Sequence, residues 1–146
     1  MLLCDSAQAV DGKLFVLGGG WNQILDVGTP VSMGLAIKVT VPWDRTNEPH
    51  RLIARLVDAD GQEVRIGADD QLVKAEADFE VGRPPGLAPG TSLETVFAPT
   101  FMGLLLEPNA YVWELEIDGE VLARASFRVG PAPRRGDLGG QKDEHL

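Results

Sequence analysis

The stretch Tyr111-Val112-Trp113-Glu114-Leu115-Glu116-Ile117-Asp118-Gly119, entered through Pro108-Asn109-Ala110, decides the fold of this chain. Tyr111, Trp113, Leu115 and Ile117 alternate with Val112, Glu114 and Glu116, the period of a strand with one face in a core. Asp118-Gly119 then makes the turn. A two-residue hairpin needs positive φ at its central positions, which Asp tolerates and Gly adopts freely. Val121, Ala123, Ala125, Phe127 and Val129 return on one face, with Leu122, Arg124, Ser126 and Arg128 on the other.

The same Asp-Gly signal recurs at Asp11-Gly12 and Asp60-Gly61, each between apolar runs. It predicts a hairpin of Leu2 to Val10 with Lys13 to Leu17, and a second in which Leu52 to Val57 turns at Asp58-Ala59-Asp60-Gly61 into Gln62 to Ile66. Gly18-Gly19-Gly20-Trp21 breaks regularity and opens a loop running to Pro30. Met33, Leu35, Ile37, Val39 and Val41 alternate with small or polar residues, and so do Val73, Ala75, Ala77, Phe79 and Val81 with charged ones. Pro42 and Pro49 bracket a polar loop from Trp43 to His50, expected to lie outside any sheet. Residues 82–90 read as a loop, and 92–106 as one or two strands broken near Pro99.

About seven to nine short strands at these intervals mean an all-β sandwich or barrel. Tyr111 chooses between them. A Tyr just after a turn, two residues before a large buried residue on the penultimate strand, is the tyrosine corner of an immunoglobulin-like antiparallel β-sandwich. Trp113 stands where antibody domains carry a cysteine, so only the architecture is shared. The domain expected is residues 1–129, followed by a flexible tail, 130–146, too poor in apolar residues to fold by itself.

A net charge of −9, from 22 acidic against 13 basic residues, argues against nucleic acid and anionic membrane as partners. The lone Cys4 excludes an internal disulfide and points to a reducing, cytoplasmic setting. Only three residues precede Cys4, which rules against reading Leu2-Leu3-Cys4 as a lipoprotein signal. No apolar run approaches the length of a membrane span. Arg in excess of Lys, with abundant Ala, Gly and Pro, suggests a GC-rich bacterial genome.

The opening, Asp11-Gly12-Lys13-Leu14-Phe15-Val16-Leu17-Gly18 after an apolar strand, resembles that of a family of uncharacterised bacterial proteins of about this size. The similarity extends to the closing hairpin around Trp113 to Gly119. It implies a β-sandwich and carries over no catalytic or binding residue.

Candidate chemistry is sparse. Gly18-Gly19-Gly20 lacks the Lys and Ser/Thr of a phosphate-binding loop and reads as a strand end. Asp58, Asp60, Glu63, Asp69 and Asp70 do not match the EF-hand spacing and read as a solvated hairpin tip. His50, in the expected loop, and His145, in the tail, have no nucleophile motif beside them. Cys4 is a small inert hydrophobe, and Arg135-Gly136-Asp137 is a chance match to an adhesion tripeptide. No catalytic residue, metal or cofactor is assigned.

Two runs depart from one-face burial. Lys13 to Leu17 and Phe101 to Leu106 are apolar on both faces and need cover from a loop, the tail or another chain. Phe15, Leu17, Trp21, Trp43, Phe101 and Leu105 are therefore the candidate interface. The function expected is a non-enzymatic, self-associating protein-interaction or structural module. The alternative is a sandwich that binds a small ligand or calcium at a loop end.

Overall fold

The computed structural model describes residues 1–25 and 28–131, and twelve strands run through them. They are β1 (Leu2–Val10), β2 (Lys13–Gly19), β3 (Gln23–Leu25), β4 (Val31–Val41), β5 (Pro49–Asp58), β6 (Arg65–Ile66), β7 (Gln71–Leu72), β8 (Lys74–Glu80), β9 (Leu93–Phe97), β10 (Thr100–Leu104), β11 (Asn109–Ile117) and β12 (Glu120–Gly130). One 3-10 turn, Trp43–Arg45, is the only helical element among the described residues. The count exceeds the seven to nine expected because β3, β6 and β7 are two or three residues long and β9 and β10 are counted apart.

The strands form two five-stranded sheets and the small pair β6–β7. The first sheet runs β10-β4-β1-β2, with β9 also on β4; the second runs β3-β12-β11-β5-β8. All pairings are antiparallel except β3 with β12. The alternation of β4 sends Met33, Leu35 and Ile37 into one core with Leu52, Ala54 and Leu56 of β5 and Tyr111, Trp113 and Leu115 of β11. Trp113 lies at the centre, fully buried, its indole N–H donating to Met33 Sδ at 3.4 Å. Tyr111 is buried and stacks on Phe127, and its hydroxyl donates to the Glu107 carbonyl at 2.7 Å, which is the corner the sequence predicts.

The turns at Asp11-Gly12 and Asp118-Gly119 have positive φ at both positions, as a two-residue hairpin demands. Asp60-Gly61 does not. Asp58 Oδ1 accepts from the Asp60 and Gln62 amides, and Gly61 N–H donates to the Asp58 carbonyl, so the chain makes a four-residue turn in which only Gly61 has positive φ. His50 also departs from expectation. Pro49 is the first residue of β5, a position where its missing N–H is tolerated, and His50 is a buried strand residue. A register shift between Leu115 and Glu116 pairs Val121 with Glu116, so Val121 leaves the inward set and Leu122 turns to a cleft described below. The expected loop from Gly20 to Pro30 contains β3.

Beyond Cys4 the β1–β2 hairpin leaves the plane of its sheet. A Cβ on Gly34 would lie 3.3 Å from the Ala7 amide nitrogen and 3.5 Å from Ser6 Cα, so β1 crosses β4 over the one residue there without a side chain. Ala7 then packs with Cys4 and Ala36, and Leu14 and Ala98 join them, in a second small cluster on the side of β4 away from the main core. The hairpin is thus a ribbon laid across the outside of the first sheet. Its inward face accounts for Leu14 of the doubly apolar β2, while Val16 stays partly exposed. Gly130 ends β12, and the expected tail beyond residue 131 lies outside the described residues.

Candidate functional site

The six expected interface residues do not gather in one place. Phe15 and Leu17 lie on the outward face of the ribbon, 56% and 71% exposed. The register Ser6↔Leu17, Gln8↔Phe15 and Val10↔Lys13 puts Val10, 48% exposed, on the same face. Leu2 lies over Gly19 beside Val16, on the alternate face. No described residue covers this patch.

The remaining four behave differently. Phe101 turns inward and packs on Trp113, ring centroids 4.3 Å apart. Its neighbours Leu104 and Leu106 are buried, while Met102 and Leu105 are exposed, and the register shift at the positive-φ Gly103 lets an apolar run divide that way. Trp21 meets Phe127 edge-on and packs against the main core. Trp43 lies under the Arg83 guanidinium, 4.2 Å from its ring centre, and its carbonyl accepts from Arg83 Nη2. Both tryptophans are half-buried against their own chain.

The sequence reading missed a polar constellation at one end of the two sheets. Ile117 pairs with Leu52, which brings the Asp118-Gly119 turn over the start of β5. There Asp118 Oδ2 is 2.6 Å from His50 Nδ1, and Asp118 Oδ1 accepts from the Arg51 amide at 2.9 Å. His50 Nε2 is 2.7 Å from the Arg45 carbonyl oxygen. Arg45 Nη2 reaches Asp118 Oδ2 at 3.4 Å and Arg45 also pairs with Glu48. The Arg45 carbonyl and the Asp118 carboxylate both offer acceptors to the His50 ring, an arrangement that favours its doubly protonated form. Its pKa is raised, chiefly by the Asp118 hydrogen bond and then by the Arg45 carbonyl, while His50 and the Arg51 amide lower that of Asp118.

Beside this pair is an open cleft of about 260 Å³. Val39, Val41, Phe79, Ile117 and Leu122 form its apolar walls, with Arg45, Asp118 and Glu120 among its polar groups. Both His50 ring nitrogens are engaged within the chain, and the Asp118 and Glu120 carboxylates face the cleft beside it. The other polar candidates are structural. Cys4 is fully buried, its thiol donating to the Gly34 carbonyl and its pKa raised first by burial. Asp58 caps its own turn, Glu63 lies beside Arg55, and Asp70 faces Arg65. Among the described residues no three His, Cys, Asp or Glu side chains converge to hold a metal ion. The described part of the chain has no helix long and apolar enough to cross a membrane.

These features define an all-β domain of two main sheets with a cleft beside a His50–Asp118 pair and an exposed apolar ribbon. The chain belongs to a family of unknown function, DUF6941, whose model matches residues 1–130. No curated protein and no solved structure matches it.

Proposed function

We propose that this protein is a non-enzymatic, cytoplasmic interaction module of immunoglobulin-like sandwich architecture that associates with itself through the apolar β1–β2 ribbon. The sandwich reading is supported by the Tyr111 corner and by one core shared between the two sheets. The observation that carries the function is the apolar face of Val10, Phe15 and Leu17, standing on a hairpin whose other face is already used in packing. Scattered surface hydrophobes need no explanation, but a contiguous group on one rigid ribbon marks a contact surface. Light scattering at tens of micromolar is expected to show a dimer. Phe15→Glu is expected to give a monomer with the wild-type melting temperature, because Phe15 contributes little to the core. A wild-type monomer at that concentration refutes the reading.

The cleft beside His50 favours a second reading, a small amphipathic ligand held between Val39, Phe79 and Leu122 with a polar end at Arg45 or Glu120. Shifts of the Val39 and Leu122 methyl signals during a ligand screen test it. A screen in which every hit leaves those methyl signals in place goes against it.

A further inference from the structure

We infer that the second copy joins edge to edge, β2 against β2 of its partner in antiparallel register centred on Phe15, extending the ribbon to four strands. This rests on the self-association proposed above and names its geometry.

The argument begins with the edges of the sheets. A strand with a free edge offers unpaired N–H and C=O groups, and natural sheets blunt such edges with charge, proline, bulges or brevity. β8 carries Lys74, Glu76, Asp78 and Glu80 along its length. The β9–β10 edge is interrupted at Pro99 and shifts register before Leu104. β3 is three residues long. β2 is the least protected of them: Leu14 to Leu17 contains no proline, no charge and no register shift, and β2 pairs only with β1 among the described residues. The other edge of the ribbon, β1 beyond Cys4, carries Asp5 and lies against β4 where Ala7 meets Gly34.

Hydrogen-bond phase specifies which groups are free. In a two-residue hairpin the residues flanking the turn, here Val10 and Lys13, exchange both main-chain bonds, and bonded pairs then alternate. Lys13, Phe15 and Leu17 therefore face β1 with their amides, and Leu14 and Val16 direct theirs to the open edge. A two-fold axis at Phe15 sets Leu14 opposite Val16 of the second copy and Val16 opposite its Leu14, which satisfies all four groups on each strand. It also makes Phe15 a non-bonded pair with its own copy, the closer of the two antiparallel spacings and one favourable for aromatic side chains. Lys13 falls opposite Leu17, so no like charges meet.

Charge selects the same surface. Two copies of a chain with net charge −9 repel, yet from Lys13 to Leu25 there is no acidic residue. The contact spans only Lys13 to Leu17 of each copy and leaves Val10 on β1 outside it, which puts the dimer at the weak end of specific interfaces. Association is thus expected in the micromolar range.

The test is amide exchange on the wild-type protein at low and high micromolar concentration, with Val16→Pro as the matching variant. Edge pairing slows exchange at Leu14 and Val16 by about tenfold or more as concentration rises, leaving Phe15 and Leu17 unaffected. Val16→Pro removes an outward N–H that β1 does not use, so the variant melts cooperatively as a monomer. If the variant fails to fold, the wild-type exchange result decides. A dimer whose Leu14 and Val16 amides exchange at a concentration-independent rate overturns edge pairing but leaves self-association standing. A wild-type monomer at high micromolar concentration overturns both.

Discussion

Asp118→Asn removes one charge from the cleft and leaves the turn intact. Asn accepts the positive φ of 51° at this position, and Asn-Gly is a favoured two-residue hairpin turn. Its carbonyl oxygen still receives the Arg51 amide. What is lost is the anionic acceptor 2.6 Å from His50 Nδ1. A hydrogen bond between charged groups contributes about 1.5–3 kcal/mol net, and solvent at Asp118, whose side chain is 35% exposed, brings the expected loss to about 1–2 kcal/mol. The pH dependence follows from the directions of the two shifts. His50 holds its proton more tightly in the folded chain, so its contribution is complete below the unfolded value of about 6.5 and disappears as pH rises through the raised folded value. Asp118 is lowered, so its contribution is complete above about 3.9 and disappears as pH falls through the lowered value. Arg45, which flanks the pair and whose pKa is raised first by its hydrogen bond to Glu48, keeps its charge across the upper window. Urea midpoints near pH 6 and near pH 9 provide the assay. The wild type is expected to lose stability between them and the variant to change much less. An equal loss in both proteins refutes the imidazolium assignment.

Three further outcomes are expected. Tyr111→Phe keeps the stack on Phe127 but removes the bond to the Glu107 carbonyl, costing on the order of 1 kcal/mol; an unchanged denaturation midpoint contradicts the corner. Gly34→Val forces side-chain atoms into the crossing of β1 and is expected to lower stability by about 1–3 kcal/mol, read by thermal melting. Removing residues 1–20 strips Leu3 from the main core and Cys4 and Ala7 from the smaller cluster, so a chain beginning at Trp21 is expected to aggregate; a soluble product that melts cooperatively shows the ribbon to be dispensable.

The strands were legible where one residue type repeats at period two. β8, β11 and most of β12 follow the alternation of their sequence because each has one face in the core and one toward solvent, and β4 follows it too although Gly34 and Ala36 on its other face are buried under the ribbon. The errors fall where a local hydrogen bond or an inserted residue overrides that period. The Asp58 carboxylate changes the turn at Asp60-Gly61, and the irregularity after Leu115 takes Val121 out of the inward set and leaves Leu122, 57% exposed, at the rim of the cleft. The doubly apolar β2 was visible, but not the fact that its hairpin leaves the sheet. That depends on Gly34, whose sequence signal is only a glycine inside an otherwise regular strand.

The cleft was illegible for a different reason. His50 and Asp118 are 68 residues apart and meet only because β5 and β11 are neighbours in a register that sets Ile117 beside Leu52. Proline before His50 argued for a loop, and Asp118 was already accounted for as a turn residue, so neither suggested a partner. Each nevertheless carried a partial signal. A histidine two positions before Leu52 belongs to the inward face of β5 if the strand is extended through Pro49, and an inward histidine must find partners for both nitrogens. The nearest polar side chain available at that end of the second sheet is the turn aspartate of the hairpin beside it. Sheet order alone would therefore have paired them. The ribbon edge needed no such knowledge, because its missing prolines and acids are a property of thirteen consecutive residues, Lys13 to Leu25.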